Sequence, residues 1–170
     1  DVPRQLSNAV NYNVINYKFI IKQEEKTMLK GISPILKPEL LKILMEMGHG
    51  DEIVISDGNF PATAIAQRLV RLDGLNVPEV LDAILGVMPL DQYVEKQVAL
   101  MEVVPGDTFV PVIWDTYKEI IKKHEPDAKI EHIERFAYYE RAKKAFAVVY
   151  TSEKSQYANI ILKKGCVIDK

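Results

Sequence analysis

Cysteine is almost missing: Cys166 is the only one in 170 residues, so no intramolecular disulfide, paired-cysteine metal site or dithiol redox motif is available. That usage suits a reducing cytoplasm. An excess of one charge is missing too. The 22 Lys and Arg residues stand against 24 Asp and Glu, a formal charge of −2, without the positive field that nucleic acid or an anionic membrane recruits. A neutral partner fits better. Apolar runs such as Ala145-Phe146-Ala147-Val148-Val149-Tyr150 fall far short of the roughly 20 residues that cross a bilayer. There is no Gly-rich phosphate loop, no His-Glu-x-x-His zinc pattern and no Gly-x-Ser-x-Gly nucleophile elbow, which sets aside three familiar chemistries.

What is present is a chain 48% apolar, enough to bury one core. Residues 1–27 are rich in Asn, Tyr and Lys, and the globular pattern starts at Met28, which reads as the natural start of a single domain over residues 28–170. The first 27 residues read as a non-native leader. The rival is a genuine extension in which residues 14–21, rich in β-branched and aromatic side chains, add an edge strand or pair with a neighbouring subunit.

Within 28–170, Pro38 followed by Leu40, Leu41, Ile43, Leu44 and Met47 has helical spacing, with Gly48 placed to end the helix. Residues 52–56 read as a buried strand closed by the turn Asp57-Gly58-Asn59-Phe60-Pro61. Helical character is expected over 62–69, 77–85, 111–123 and 136–144. Strands are expected over 70–72, 98–104, 129–133, 145–151 and 159–163. Such alternation predicts an α/β fold, one compact domain with a mixed, largely parallel sheet flanked by helices.

Gly48-His49-Gly50 frees the backbone around a histidine and leaves its ring uncrowded, although a helix cap with a solvated His49 explains the same residues. Asp57 lies at the far end of a five-residue strand, about 17 Å long when extended, so this segment alone need not bring it near His49. It serves either as a site residue or as an acceptor of turn N–H groups. Arg135-Phe136-Ala137-Tyr138-Tyr139-Glu140-Arg141 mixes rings that stack on a sugar's apolar face with charges that bind hydroxyls, and helix-surface salt bridges are the competing reading. Tyr157-Ala158-Asn159 adds a phenol and an amide. His124 and His132 read as solvated, with His132 close in sequence to Arg135.

Taken together, residues 28–34, Pro38-Glu39-Leu40-Leu41, the run from Glu46 through Gly48-His49-Gly50-Asp51 to Ile53, Ser56-Asp57-Gly58-Asn59-Phe60-Pro61-Ala62, the segment from Arg135 to Ala142 and residues 157–165 resemble the L-fucose mutarotase family. The overlap spans essentially all of 28–170. Ribose pyranases share the early Gly-His-Gly-Asp features, whereas the Arg-Phe-Ala-Tyr-Tyr-Glu-Arg segment is similar to the fucose branch. The resemblance implies His49 as catalytic acid, Asp57 and Arg135 as sugar ligands, and Tyr157, Ala158 and Asn159 as a further binding segment. It also implies a ribose pyranase/fucose mutarotase-like fold and a homo-oligomer, a decamer of stacked pentameric rings with the site between subunits. Ala158 stands where Gly is frequent, and Asn59 occupies a variable position.

Mutarotation moves a proton off the anomeric hydroxyl and another onto the ring oxygen, needing neither cofactor nor metal, and histidine is suited to that exchange near neutral pH. Tyr138 or Tyr157 is the expected second proton carrier. The expected activity is interconversion of the α and β anomers of L-fucose. The alternatives are a D-ribose pyranase-type ring-form isomerase and a non-catalytic sugar-binding accessory protein.

Overall fold

The computed structural model describes residues 29–168, and the readings made for residues 1–27 lie outside them. The chain divides into two units, Asp1–Pro34 and Ile35–Lys170. In the described part of the first, the Ile32 N–H donates to the Leu29 carbonyl at 3.3 Å.

In the second unit, Pro38 sits at a position whose N–H has no helical partner, and Leu40, Ile43 and Leu44 share the buried face of α1, Pro38–Glu46. Gly48 does not cap this helix. Met47 already turns extended at ψ 134°, and the Lys164 ammonium donates to the Leu44 and Met47 carbonyls at 2.7 and 2.5 Å. Then follow β1 (Glu52–Ser56), α2 (Ala62–Ile65), β2 (Leu69–Leu72), α3 (Val77–Leu85), β3 (Val98–Met101) and α4 (Ile113–His124). The chain ends through β4 (Ile130–Ile133), α5 (Arg135–Lys144), β5 (Ala147–Thr151) and β6 (Ile160–Lys163).

The helical pattern of 62–69 yields only four residues of α2. Leu69 and Val70 pair with Val148 and Val149, so the sheet draws out the residues that local spacing would coil. At α3, Asn76 and Glu79 form a capping box.

The sheet order is β2-β5-β1-β6-β3-β4. Strand β1 is parallel to β5, β5 to β2 and β3 to β4, while β6 runs antiparallel to both β1 and β3. Five strands therefore share one direction and β6 alone opposes them, the mixed, largely parallel sheet expected. Residues 152–159 carry no crossover helix, so the chain leaving β5 turns straight back into β6. Ile53, Val54, Ile55, Val98, Leu100, Ile160, Ile161 and Leu162 are fully buried, as strands covered on both faces require.

This topology sorts the loops. The carboxyl ends of β1, β3, β4 and β5 and the amino end of β6 meet at one edge of the sheet. Residues 48–51 and the segments leading into β3 and β4 lie at the other.

Candidate functional site

Crevices at the carboxyl ends of parallel strands are where α/β sheets bind ligands. Here a cleft of about 320 Å³ opens at that edge, lined by Asp57 and Phe60 beyond β1, Met101 and Val104 at the end of β3, Arg135 beyond β4, and Tyr157 and Asn159 before β6. Tyr139 from α5 joins them.

Asp57 is nearly buried and is held from several directions. Its N–H donates to Asn159 Oδ1 at 3.0 Å, Asn159 Nδ2 returns a bond to its Oδ2 at 2.9 Å, and the Asn59 N–H reaches its Oδ1 at 2.9 Å. Burial pushes the carboxyl up. The Asn59 and Phe60 N–H groups and the Asn159 amide pull it down, the Glu153 carboxylate adds to the rise, and the net shift is upward. Asp57 thus accepts a turn N–H group, and it also lines the cleft.

Glu134 caps α5 by accepting from the Phe136 and Ala137 N–H groups at 2.8 and 3.1 Å, which sets Arg135 in the first turn, beside the cleft. Its guanidinium lies 4.6 Å from the Phe136 ring centre and has no ion-pair partner among the described residues. It remains available to a ligand's oxygens. Phe60 and Tyr139, ring centres 5.7 Å apart, supply the apolar surface.

Tyr157 takes a left-handed backbone at φ 56°, uncommon for a bulky residue. It is locked there by Trp114 Nε1, which donates to its carbonyl at 2.8 Å, and by its phenol, which donates to Asp107 Oδ2 at 2.6 Å and accepts the Val104 N–H at 3.3 Å. The bond to Asp107 holds this phenol above its ordinary pKa and the Asp107 carboxyl below the ordinary range.

The remaining expected residues lie elsewhere. Ala158 is fully buried, absent from the cleft wall, with its carbonyl taken by the Tyr117 hydroxyl at 2.7 Å. Tyr138 is fully buried too, edge-on to Phe60, and burial pushes its phenol far up. It does not line the cleft, whereas Tyr157, the other tyrosine expected to carry a second proton, does. His49 stands at the opposite edge of the sheet, before β1, where Gly50 takes φ +85°. It is neither a cap nor free: Nε2 lies 2.9 Å from Asp91 Oδ1, and its ring meets Tyr93 edge-on at 5.5 Å. Of the other histidines, His132 is exposed as expected, with Trp114 beside it at 4.8 Å between ring centres, whereas His124 is half-buried and pairs with Asp82 at 2.6 Å. No group of three or more His, Cys, Asp or Glu side chains is arranged to hold a metal among the described residues.

Residues 30–167 match the model of the RbsD / FucU transport protein family. The chain belongs to this family. Over 139 residues it is 52% identical to the L-fucose mutarotase of Actinobacillus pleuropneumoniae serotype 5b, an alignment covering 81% of this chain and 96% of that protein. It is 48% identical over 147 residues to the fucose mutarotase of Danio rerio, covering 82% and 95%. The structure superposes on the fucose mutarotase of Streptococcus pneumoniae, solved in complex with L-fucose, with a TM-score of 0.78 at 52% identity, covering 82% of this chain and all of that one.

Two residues beside the expected ones escaped the family-based reading. Asp91, within Pro89-Leu90-Asp91-Gln92, and Asp107, within Pro105-Gly106-Asp107, look in sequence like ordinary turn aspartates. Each owes its partner to a contact more than 40 positions away, which local spacing does not reveal.

Proposed function

We propose that the protein is an L-fucose mutarotase, a cofactor-independent isomerase that interconverts the α and β anomers of L-fucose. The observation that carries this is the cleft itself: a buried carboxylate, an unpaired guanidinium, an amide and a phenol converge beside the Phe60 and Tyr139 rings, in a chain about half identical to proteins of that name. Sugars present hydroxyls around an apolar ring, and this wall offers partners for both.

Asp57, Arg135 and Asn159 hold the hydroxyls, and the backbone through Ala158 fixes the Tyr157-Ala158-Asn159 segment. In ring opening the anomeric O–H passes its proton to the Tyr157 oxygen as the Tyr157 proton moves to the Asp107 carboxylate, C1=O1 forms, the C1–O5 bond breaks, and O5 takes a proton from the protonated histidine acid. The aldehyde then rotates and recloses on its other face with the transfers reversed. Tyr157 is the second proton carrier: the residue lines the cleft, and its phenol donates to Asp107.

We place the acid, His49, on a neighbouring copy. It stands before β1 and Asp57 stands after it, so a whole strand separates them. His49 of the partner subunit completes the cleft in an oligomer, a decamer of stacked pentameric rings working in the cytoplasm.

Saturation-transfer NMR tests the activity. Irradiating one anomeric proton of L-fucose attenuates its partner only when enzyme makes exchange compete with relaxation. Accelerated ribose ring-form exchange with fucose untouched would replace this reading with a ribose pyranase, and saturable binding without faster exchange would leave a binding protein. His49→Ala is expected to slow exchange at least about 100-fold, roughly 3 kcal/mol of barrier, with sugar binding retained.

A further inference from the structure

The connection from β3 to α4, residues 102–112, wraps around one side chain, that of Tyr157. Near β3 the Tyr157 phenol accepts the Val104 N–H at 3.3 Å and donates to Asp107 Oδ2 at 2.6 Å. At the start of α4, Trp114 Nε1 donates to the Tyr157 carbonyl at 2.8 Å. Between these two holds Phe109 packs on the Tyr157 ring, centres 5.9 Å apart. The connection is itself pinned, because the Asp107 N–H donates to the Val104 carbonyl and the Phe109 N–H to Asp107 Oδ1, both at 2.9 Å.

Helix α4 supplies a second donor to the same segment. Trp114 and Tyr117 stand three positions apart, which puts them on one helix face. They take successive carbonyls: the Tyr117 hydroxyl, on a fully buried ring, donates to that of Ala158 at 2.7 Å. Burial pushes the Tyr117 phenol well up, so it stays a donor.

The two bonds secure different residues. The Ala158 carbonyl leads directly into Asn159, whose amide is bound to Asp57. The Tyr157 carbonyl belongs to a left-handed residue, φ 56°, where a bulky side chain is strained unless its surroundings hold it. Without the indole N–H that turn is free to relax and carry the phenol off Asp107. His132 of β4 packs against the indole, ring centres 4.8 Å apart, and fixes the aim of its N–H.

Resting on the mutarotase reading and on Tyr157 as its second proton carrier, we propose that Trp114 is a positioning residue of the reaction, acting through Tyr157 by holding the strained turn that keeps the phenol on its proton acceptor, Asp107. Sugar binding is spared when this bond is lost, because Tyr117 still holds the Ala158 carbonyl and with it the Asn159–Asp57 pair. The loss therefore falls on turnover.

The test uses the full chain and L-fucose. Trp114 is the only tryptophan in the sequence, so replacing tryptophan during biosynthesis alters this site alone. Benzothienylalanine keeps the fused ring and puts sulfur where the N–H stands. It is expected to lower the exchange rate at saturating fucose about 10- to 100-fold with KM little changed, whereas fluorotryptophan, which keeps the N–H, is expected to retain the wild-type rate. Trp114→Phe also removes the donor and is expected to match the benzothienyl protein. In the Tyr157→Phe background neither change is expected to slow exchange further. Unaltered turnover on loss of the N–H overturns the assignment, as does a raised KM with turnover kept. An added loss in the Tyr157→Phe background overturns it too, since the indole would then act on the fold rather than on the phenol. Tyr157→Phe measured first separates the two readings. Retained exchange there defeats Tyr157 as proton carrier, whereas lost exchange there with normal exchange in the benzothienyl protein defeats only the role of Trp114.

Discussion

Individual residues at this site are held in places that their own preferences disfavour. Tyr157 accepts a left-handed backbone because Trp114, Val104 and Asp107 each satisfy one of its polar atoms and Phe109 packs on its ring at 5.9 Å. Tyr157→Phe keeps the ring and the backbone contacts and loses only the phenol. It is expected to slow fucose exchange by about 10- to 100-fold, read by saturation transfer, with an unchanged circular dichroism spectrum. Gly165 shows the opposite economy, a residue needed for what it lacks. Gly165→Ala forces Leu90 and the adjoining Asp91 to move, and should destabilise the protein by about 1–3 kcal/mol in urea titration and slow exchange in the same variant.

Among the elements, α5 is tied to the sheet by charge as well as by packing. Arg141 donates to both Glu52 oxygens, Nε to Oε2 at 3.0 Å and Nη2 to Oε1 at 2.8 Å, and its Nη1 meets Glu131 at 2.6 Å. Lys163 adds a contact of 3.0 Å to Glu52. One cluster thereby links α5 to β1, β4 and β6, and α5 is the helix that carries Arg135. Burial pushes the Glu52 carboxyl up, but Arg141 and Lys163 outweigh it and hold the group below its ordinary value. A carboxyl depressed in the fold stabilises above its unfolded pKa of about 4.3, and that contribution vanishes as pH falls through the folded value. Glu52→Gln is therefore expected to cost about 1–3 kcal/mol at pH 7, with the gap in melting temperature closing as the wild type is acidified below about pH 4. A gap that widened in acid would refute this account.

For the whole molecule, the separation of His49 from the cleft makes a mixing experiment decisive. His49→Ala and Asp57→Ala are each expected to be inactive alone. Co-refolded, they should recover part of the fucose exchange, because some interfaces then unite an intact His49 with an intact Asp57. No recovery from mixed oligomers would count against a site shared between copies, and light scattering that found a 19.3 kDa monomer would exclude it. Deleting residues 1–27 is expected to leave exchange and assembly nearly unchanged, since the family match begins at residue 30.

Periodicity and turn chemistry carried most of the architecture. Strands as apolar as Ile53-Val54-Ile55 and Ile160-Ile161-Leu162 are fully buried, and Pro38 marked a helix start where α1 begins. Local pattern failed where a distant segment competed: the sheet shortened α2, and Lys164 took over the helix end assigned to Gly48. The motif-bearing residues Asp57, Arg135, Tyr157 and Asn159 were legible because each lies beside a recognisable strand or helix end. Their convergence was not, since it depends on β6 running against five parallel strands and delivering its amino end to their carboxyl edge. The same topology sends His49 to the other edge and seats Asp91 against it. Sequence thus determined which side chains are candidates for the chemistry, and tertiary structure decided which of them meet, because the meeting is set by strand order and direction rather than by spacing along the chain.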